Sequence, residues 1–234
     1  PTTEKKIILF FTMLLLCNMF LAQEKDTLQF QKSTFEYQYK KMYIPVGLMI
    51  TGVIAGGHGE NSWNNKIAAA RNRDFSNFEN HADDYLQFAP FVAAYGFELA
   101  GMKPKTDWKN RSAILIKGQI LNLGLVYILK NTLKETRPDG TSLSFPSGHT
   151  ANAFAGATLL SIEYGQDNKW VPYAAYGVAS TVGIMRIANN RHYLSDVLFG
   201  AGLGILSMKI AYWTHQYQWN TTKSTHDPFV GNIY

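Results

Sequence analysis

Cysteine occurs once in this 234-residue chain, as Cys17, so an internal disulfide is excluded and the redox compartment cannot be read from thiols. Metal chemistry lacks its usual signature as well. No grouping of His, Cys, Asp and Glu has the short spacing of a zinc site, and neither a metal nor another cofactor is expected. Strand-like alternation is scarce, no repeat of solenoid period is present, and no tract is of low complexity. The chain carries 22 Lys and Arg against 17 Asp and Glu, a net charge of +5 that favours anionic partners. These cations are interleaved with apolar segments rather than gathered into an aromatic and basic stripe, which argues against nucleic acid. What remains is a chain with 46% hydrophobic residues, enough for one substantial core, and the expected class is an all-α helical bundle of about six helices.

The N-terminus reads as a targeting signal: Lys5 and Lys6 precede an apolar run from Ile7 through Leu21, and cleavage is expected after Ala22. An uncleaved anchor and a lipoprotein site at Cys17 are the alternatives. The expected organisation is a signal over 1–22, a periplasmic or interfacial segment over 23–84, the main helical domain over 85–213 and a tail over 214–234. Within it, Met42 to Gly57 is apolar and His58 to Asp84 is polar. Helices are expected at Tyr85–Gly101, Ser112–Lys130, Thr150–Tyr164, Val171–Ile187 and Tyr193–Trp213.

Three polar stretches interrupt this apolar frame: Lys130 to Pro138, Pro146-Ser147-Gly148-His149, and Arg186 to Asp196. They supply fixed cations, a tight turn at a helix start and two histidines, a set suited to a tetrahedral phosphate. Lys130 and Arg137 lie seven apart, two helical turns, which predicts that they share a helix face before Pro138 ends the helix. His192 and Asp196 lie four apart, so on a helix the carboxylate would hold one ring nitrogen and leave the other for substrate. The small-residue run after Gly148 predicts a helix whose first N–H groups point at a docked anion.

In this order, KX6RP, PSGH and RX5HX3D resemble the type 2 phosphatidic acid phosphatase superfamily, which also includes bacterial acid phosphatases and vanadium haloperoxidases. The resemblance implies that His192 attacks phosphorus to form a phosphohistidine, that Asp196 orients it, and that His149 protonates the leaving group and then activates water. It further implies that Lys130, Arg137, Ser147, Gly148 and Arg186 hold the phosphate oxygens without a metal. One departure stands out: the family's third stretch usually has Ser before its Arg, and here that position is Met185.

The implied activity is hydrolysis of a lipid phosphate or diphosphate of the lipid A, undecaprenyl diphosphate or phosphatidate type. Its alternatives are a soluble periplasmic acid phosphatase, a vanadium haloperoxidase and a non-catalytic phospholipid-binding envelope protein. Taken singly, other polar residues have plainer readings. Lys134 and Arg191 suit solvated positions near the motifs, and Asp83-Asp84 suits the acidic first turn of a helix. His58, His81, His215 and His226 suit surface or loop positions.

Membrane insertion is contested within the sequence itself, because a mean hydropathy of −0.14 is low for a polytopic protein. Against that, Lys103, Lys105, Lys109 and Arg111 crowd one short loop of the kind retained in the cytoplasm. Five spans, with Met42–Gly57 not crossing, would then place all three motifs on the periplasmic side of a bacterial inner membrane. Trp170, Tyr193 and Trp213 near helix ends suit its interfaces. Only Asp139 to Phe145 separates the first two motifs, so any substrate-selecting lid must come mainly from elsewhere, with His58–Asp84 as one candidate.

Overall fold

The computed structural model describes residues 31–57, 59 and 61–215. The expected signal, its cleavage site, His58, His226 and nearly all of the expected tail lie outside them. Eight helices and no strand occur among the described residues: α1 Gln31–Ala55, α2 Trp63–Asp74, α3 Ala82–Leu86, α4 Ala89–Leu99, α5 Trp108–Leu133, α6 Gly148–Tyr164, α7 Trp170–Ala188 and α8 Leu194–Trp213. The all-α class therefore holds, with two more helices than the count of about six. One addition is α2, built from the polar region and burying no residue. It is held at its start by Ser62, whose side chain accepts from the Asn65 amide. The other arises because Tyr85–Gly101 divides into α3 and α4, with Pro90 seated in the first turn of α4, where its missing N–H costs nothing.

Helices α6 and α8 form the centre. α6 buries Ala151, Ala153, Ala155, Gly156 and Ala157, and α8 is buried along most of its length. Small side chains allow the backbones to approach closely. A Cβ on Gly204 would lie 2.1 Å from the Ala151 carbonyl oxygen, and one on Gly200 2.6 Å from that of Ser147. On the opposite face of α8, a Cβ on Gly202 would lie 2.4 Å from the Pro45 carbonyl oxygen of α1. Met49, Val126, Leu129, Phe145, Ala151, Phe199 and Leu203 form an apolar cluster linking α1, α5, α6 and α8. A second cluster, including Ile114, Leu159, Tyr164, Val171, Val182 and Met208, fills the rest of the bundle.

α5 gives the molecule two chemically different ends. Asp107 caps its start by accepting from the amides of Lys109 and Asn110, and its 26 residues span about 39 Å at 1.5 Å per residue. Beside its start, Glu163 accepts hydrogen bonds from the Thr106 amide at 2.9 Å, from the Thr106 hydroxyl at 2.7 Å and from Tyr212. Arg111, counted among the loop cations, is completely buried there. It pairs with Glu98 and stacks 4.7 Å from the Tyr95 ring centroid, so it is a structural charge of the core. The three motifs gather at the opposite end.

α5 and α8 are each long and apolar enough to cross a membrane. α8 is mostly enclosed by its neighbours, whereas α5 exposes Ile116, Ile120, Leu123, Tyr127 and Ile128.

Candidate active site

Two local expectations are corrected by the backbone. α5 ends at Leu133, and Lys134 takes the left-handed conformation at φ 48° with its N–H on the Lys130 carbonyl, so Arg137 does not share a helix face with Lys130. A left-handed residue ends a helix by redirecting the chain, here one turn earlier than Pro138 would require. Arg137 is carried instead by a tight loop in which its amide bonds the Thr141 carbonyl at 2.7 Å, and the Gly140 amide bonds the Arg137 carbonyl at 3.0 Å. The loop then folds back over α5, where the Lys130 ammonium donates to the carbonyls of Leu143 at 2.5 Å and Ser144 at 3.2 Å. Lys134 itself is exposed.

The second correction concerns His192, which lies before α8 rather than on it. The contact with Asp196 is made all the same, through capping geometry. Asp196 occupies the third position of α8 and accepts from the Tyr193 amide at 3.0 Å, which turns its carboxylate back toward the preceding residue. There His192 Nδ1 donates to Asp196 Oδ2 at 3.3 Å. Ser144 donates to the same oxygen, and Ser195 Oγ donates to Oδ1 at 3.2 Å. The carboxylate is fully enclosed and satisfied from several directions, so it is fixed before any ligand arrives. His192 is 2% exposed, and burial, assisted by Lys130 and Arg186 and opposed by Asp196, pulls its pKa down to about 4. The ring is therefore neutral at pH 7, with Nδ1 committed to the carboxylate and Nε2 available.

Ser147 precedes the first residue of α6, and its amide donates to the Asp196 carbonyl at 3.0 Å, which pins the start of α6 to the start of α8. Its hydroxyl shares a hydrogen bond with Thr150 Oγ1 at 2.9 Å. Gly148 faces α5, where a Cβ would stand 4.0 Å from Lys130 Cε. The first-turn amides of α6 have no acceptor within the helix and present its positive end.

Arg186 stands in the last turn of α7, buried at 7% exposure. It acts electrostatically on both histidines, lowering the proton affinity of His192 and of His149. Arg137 is also pulled below its ordinary pKa, first by burial and next by Arg186. The Nε–H groups of Arg137 and Arg186 are both buried and make no hydrogen bond among the described residues. Buried donors without acceptors cost about 1–3 kcal/mol each, so two of them among converging cations mark a place for an anion. Over this end opens a cavity of about 690 Å³ lined by Ser76, Phe78, Glu79, Asp139, Arg186 and Arg191, among others.

All eight candidates thus fall at one end of the bundle, connected through α5, α6, α7 and α8. Sequence reasoning overlooked Ser144, which has no motif, and both acids of α3. Asp83 and Asp84 do stand in a helical first turn, as expected, but they also reach into the site. Asp83 is 1% exposed and accepts from Arg186 Nη1 at 2.6 Å and from Asn189 at 3.1 Å, while Asp84 accepts from His149 Nε2 at 2.9 Å. Asp83, Asp84 and His149 offer ligand atoms within 4.8 Å of one another. Arg186 already supplies the cation of this group, 2.6 Å from Asp83 and 3.7 Å from Asp84, and a divalent ion would have to displace it.

The described helices form an all-α bundle, one end of which gathers buried cations, two unpartnered guanidinium N–H groups and two histidines. Residues 112–220, a little under half of the chain, match the family model of the PAP2 superfamily. The chain is 43% identical over 138 residues to the lipid A 1-phosphatase of Porphyromonas gingivalis, covering 58% of this chain and 31% of that protein. It is 34% identical over 117 residues to phosphatidylglycerophosphatase B of Bacillus subtilis, covering 44% and 56% of the two chains. It therefore spans well under two thirds of either relative. Among solved structures, Aquifex aeolicus LpxE shares the fold at a TM-score of 0.51 and 23% identity, over 68% of this chain and 98% of that one.

Proposed function

We propose that the chain is a metal-independent phosphatase acting on a lipid phosphate or diphosphate of the lipid A, undecaprenyl diphosphate or phosphatidate type. The observation that carries this reading is the pair of buried, unpartnered guanidinium N–H donors beside a neutral, carboxylate-held imidazole. In the proposed reaction Lys130, Arg137, Arg186, Ser147 and the first amides of α6 hold the phosphate oxygens. His192 Nε2 attacks phosphorus as the bond to the leaving oxygen breaks, and His149 gives that oxygen its proton. Water then attacks the phosphohistidine, His149 takes the proton back, and inorganic phosphate leaves with His192 restored.

The match to the PAP2 family model supports this assignment, as do the two relatives, both phosphatases of phosphorylated lipids by name. A bilayer location is part of the proposal, with α5 and α8 as spans. The exposed aliphatic face of α5 suits lipid, and its length of about 39 Å exceeds a hydrocarbon core of about 30 Å. Lys103, Lys105 and Lys109 lie near its start and the motifs near its end, and a basic loop retained in the cytoplasm supports a periplasm-facing site.

The test is phosphate release by the purified chain from a panel of lipid phosphates and soluble phosphomonoesters, beside extraction of the membrane-bound protein with alkaline carbonate. Turnover of lipid substrates in the presence of EDTA, with the protein kept in the pellet, is expected. No phosphate from any substrate would overturn the catalytic reading, and release into the supernatant would overturn the bilayer location.

A further inference from the structure

We propose that Asp84 is the positioning carboxylate of His149, the counterpart for the second histidine of what Asp196 is for the first. The inference rests on the phosphatase reading above and adds a residue that lies outside the three motifs. Its basis is the placement of α3. Asp83 anchors the helix from inside through Arg186 Nη1 at 2.6 Å and Asn189 at 3.1 Å, while Asn189 reaches the neighbouring chain again through the Asn80 carbonyl at 2.7 Å. Gln87, one turn beyond, donates to the Asp84 carbonyl at 2.9 Å and accepts from Asn152 of α6 at 3.3 Å. With its helix held on both sides, Asp84 presents Oδ1 to His149 Nε2 at 2.9 Å.

The ring of His149 is thereby fixed in one orientation with Nε2–H committed to the carboxylate, as Asp196 fixes that of His192, so the proton for the leaving oxygen is the one the imidazolium carries on Nδ1. The groups around His149 are Asp83 and Asp84 of α3, Arg186 of α7 and, across Gly148, Lys130 of α5. Burial and then Arg186 draw the His149 pKa down, and Asp84 is the largest influence in the opposite direction. A general acid must hold its proton until the leaving oxygen takes it, and a carboxylate beside the imidazolium preserves that proton to higher pH. Asp84 is also half-exposed at the mouth, so it contacts His149 from the solvent side and leaves the cradle free for phosphate.

The measurement is the pH profile of kcat for wild type and Asp84→Asn, on an alkyl phosphate and on p-nitrophenyl phosphate. The alkyl ester needs a proton on its leaving oxygen, whereas p-nitrophenolate departs without one. In Asp84→Asn the alkaline limb should move to lower pH by about one unit, with the acidic limb unchanged. Turnover of the alkyl ester should fall about tenfold or more beyond any fall for p-nitrophenyl phosphate. Asp84→Glu should restore much of both, which a merely damaged fold would not allow. Equal losses on the two substrates, or an unmoved alkaline limb in an active Asp84→Asn protein, would overturn the inference while leaving the phosphatase reading intact. A wild type inactive on both would instead defeat that reading. Inhibition by EDTA that a divalent cation reverses would give Asp84 to a metal and overturn the positioning role.

Discussion

Replacing Asp196 with Asn tests how the site divides its burden between folding and chemistry. Asp196 is completely enclosed, and its Oδ2 receives His192 Nδ1, the Ser144 hydroxyl and the Tyr193 amide. An asparagine has the same shape and can keep its carbonyl oxygen in that position. Its NH2 then faces Ser195 Oγ, which already accepts from Asn64 Nδ2 at 2.8 Å. The loss to stability is therefore one hydrogen bond to a carboxylate, about 1.5–3 kcal/mol. The loss to turnover expected from the proposed mechanism is far larger, because attack by His192 would develop a positive charge on its ring and the fixed counter-charge is gone. A triad of comparable design loses about 10⁴ in kcat when its carboxylate becomes an amide, about 5.5 kcal/mol at 1.36 kcal/mol per decade. Thermal denaturation in detergent, beside kcat on a phosphomonoester, separates the two quantities. An Asp196→Asn protein within tenfold of wild-type turnover would refute the reasoning, as would one whose activity falls only as far as its folded fraction.

Three further outcomes are expected. Arg137→Lys should lower kcat/KM by about 10² or more, because an ammonium loses the planar fork and the buried Nε–H that now lacks an acceptor, and near-normal kinetics would place Arg137 outside the cradle. With His192 as the proposed nucleophile, competent only when neutral and with a pKa of about 4, the acidic limb of kcat/KM should lie near pH 4, and a limb at the ordinary histidine value of about 6.5 would contradict its burial. Linkage has the matching sign: between about pH 6.5 and 4 the unfolded chain binds the proton that folded His192 refuses, so acidification through that window destabilises the fold. Gly204→Ala should destabilise by about 1–3 kcal/mol, measured as a lowered melting temperature, because a Cβ there meets the Ala151 carbonyl oxygen at 2.1 Å, and an unchanged melt would deny the α6–α8 contact.

Much of the bundle was legible because its helices end on local signals. Ser112–Lys130, Thr150–Tyr164, Val171–Ile187 and Tyr193–Trp213 are each present, extended or trimmed by a few residues at the caps. The break at Gln87 and Phe88 was hidden inside an apolar run, where Pro90 is as compatible with a helix start as with a kink. Two motif geometries were read with the right partners and the wrong backbone. Spacings of seven and four suggested helical faces, yet Lys134 ends α5 before Arg137, and His192 meets Asp196 through a capping turn.

The acids of α3 illustrate what local pattern cannot convey. An acidic pair in a helical first turn is sufficiently explained by the dipole, so nothing near position 84 announces an imidazole 65 residues away or near position 83 a guanidinium 103 residues away. Arg111 is the mirror case, a cation counted in a basic loop that packing draws wholly into the core.

The central claim is that phosphorus bonds to His192 during turnover, and trapping that bond tests it most directly. The purified chain is mixed with phosphomonoester, quenched in alkali, where phosphoramidates survive, and digested for mass spectrometry. The account predicts a phosphoryl group on His192 in the wild type, a larger amount in a His149→Ala protein whose hydrolysis step is slowed, and none in His192→Ala. Turnover with no phosphorylated His192, or a phosphoryl group on another residue, would contradict it.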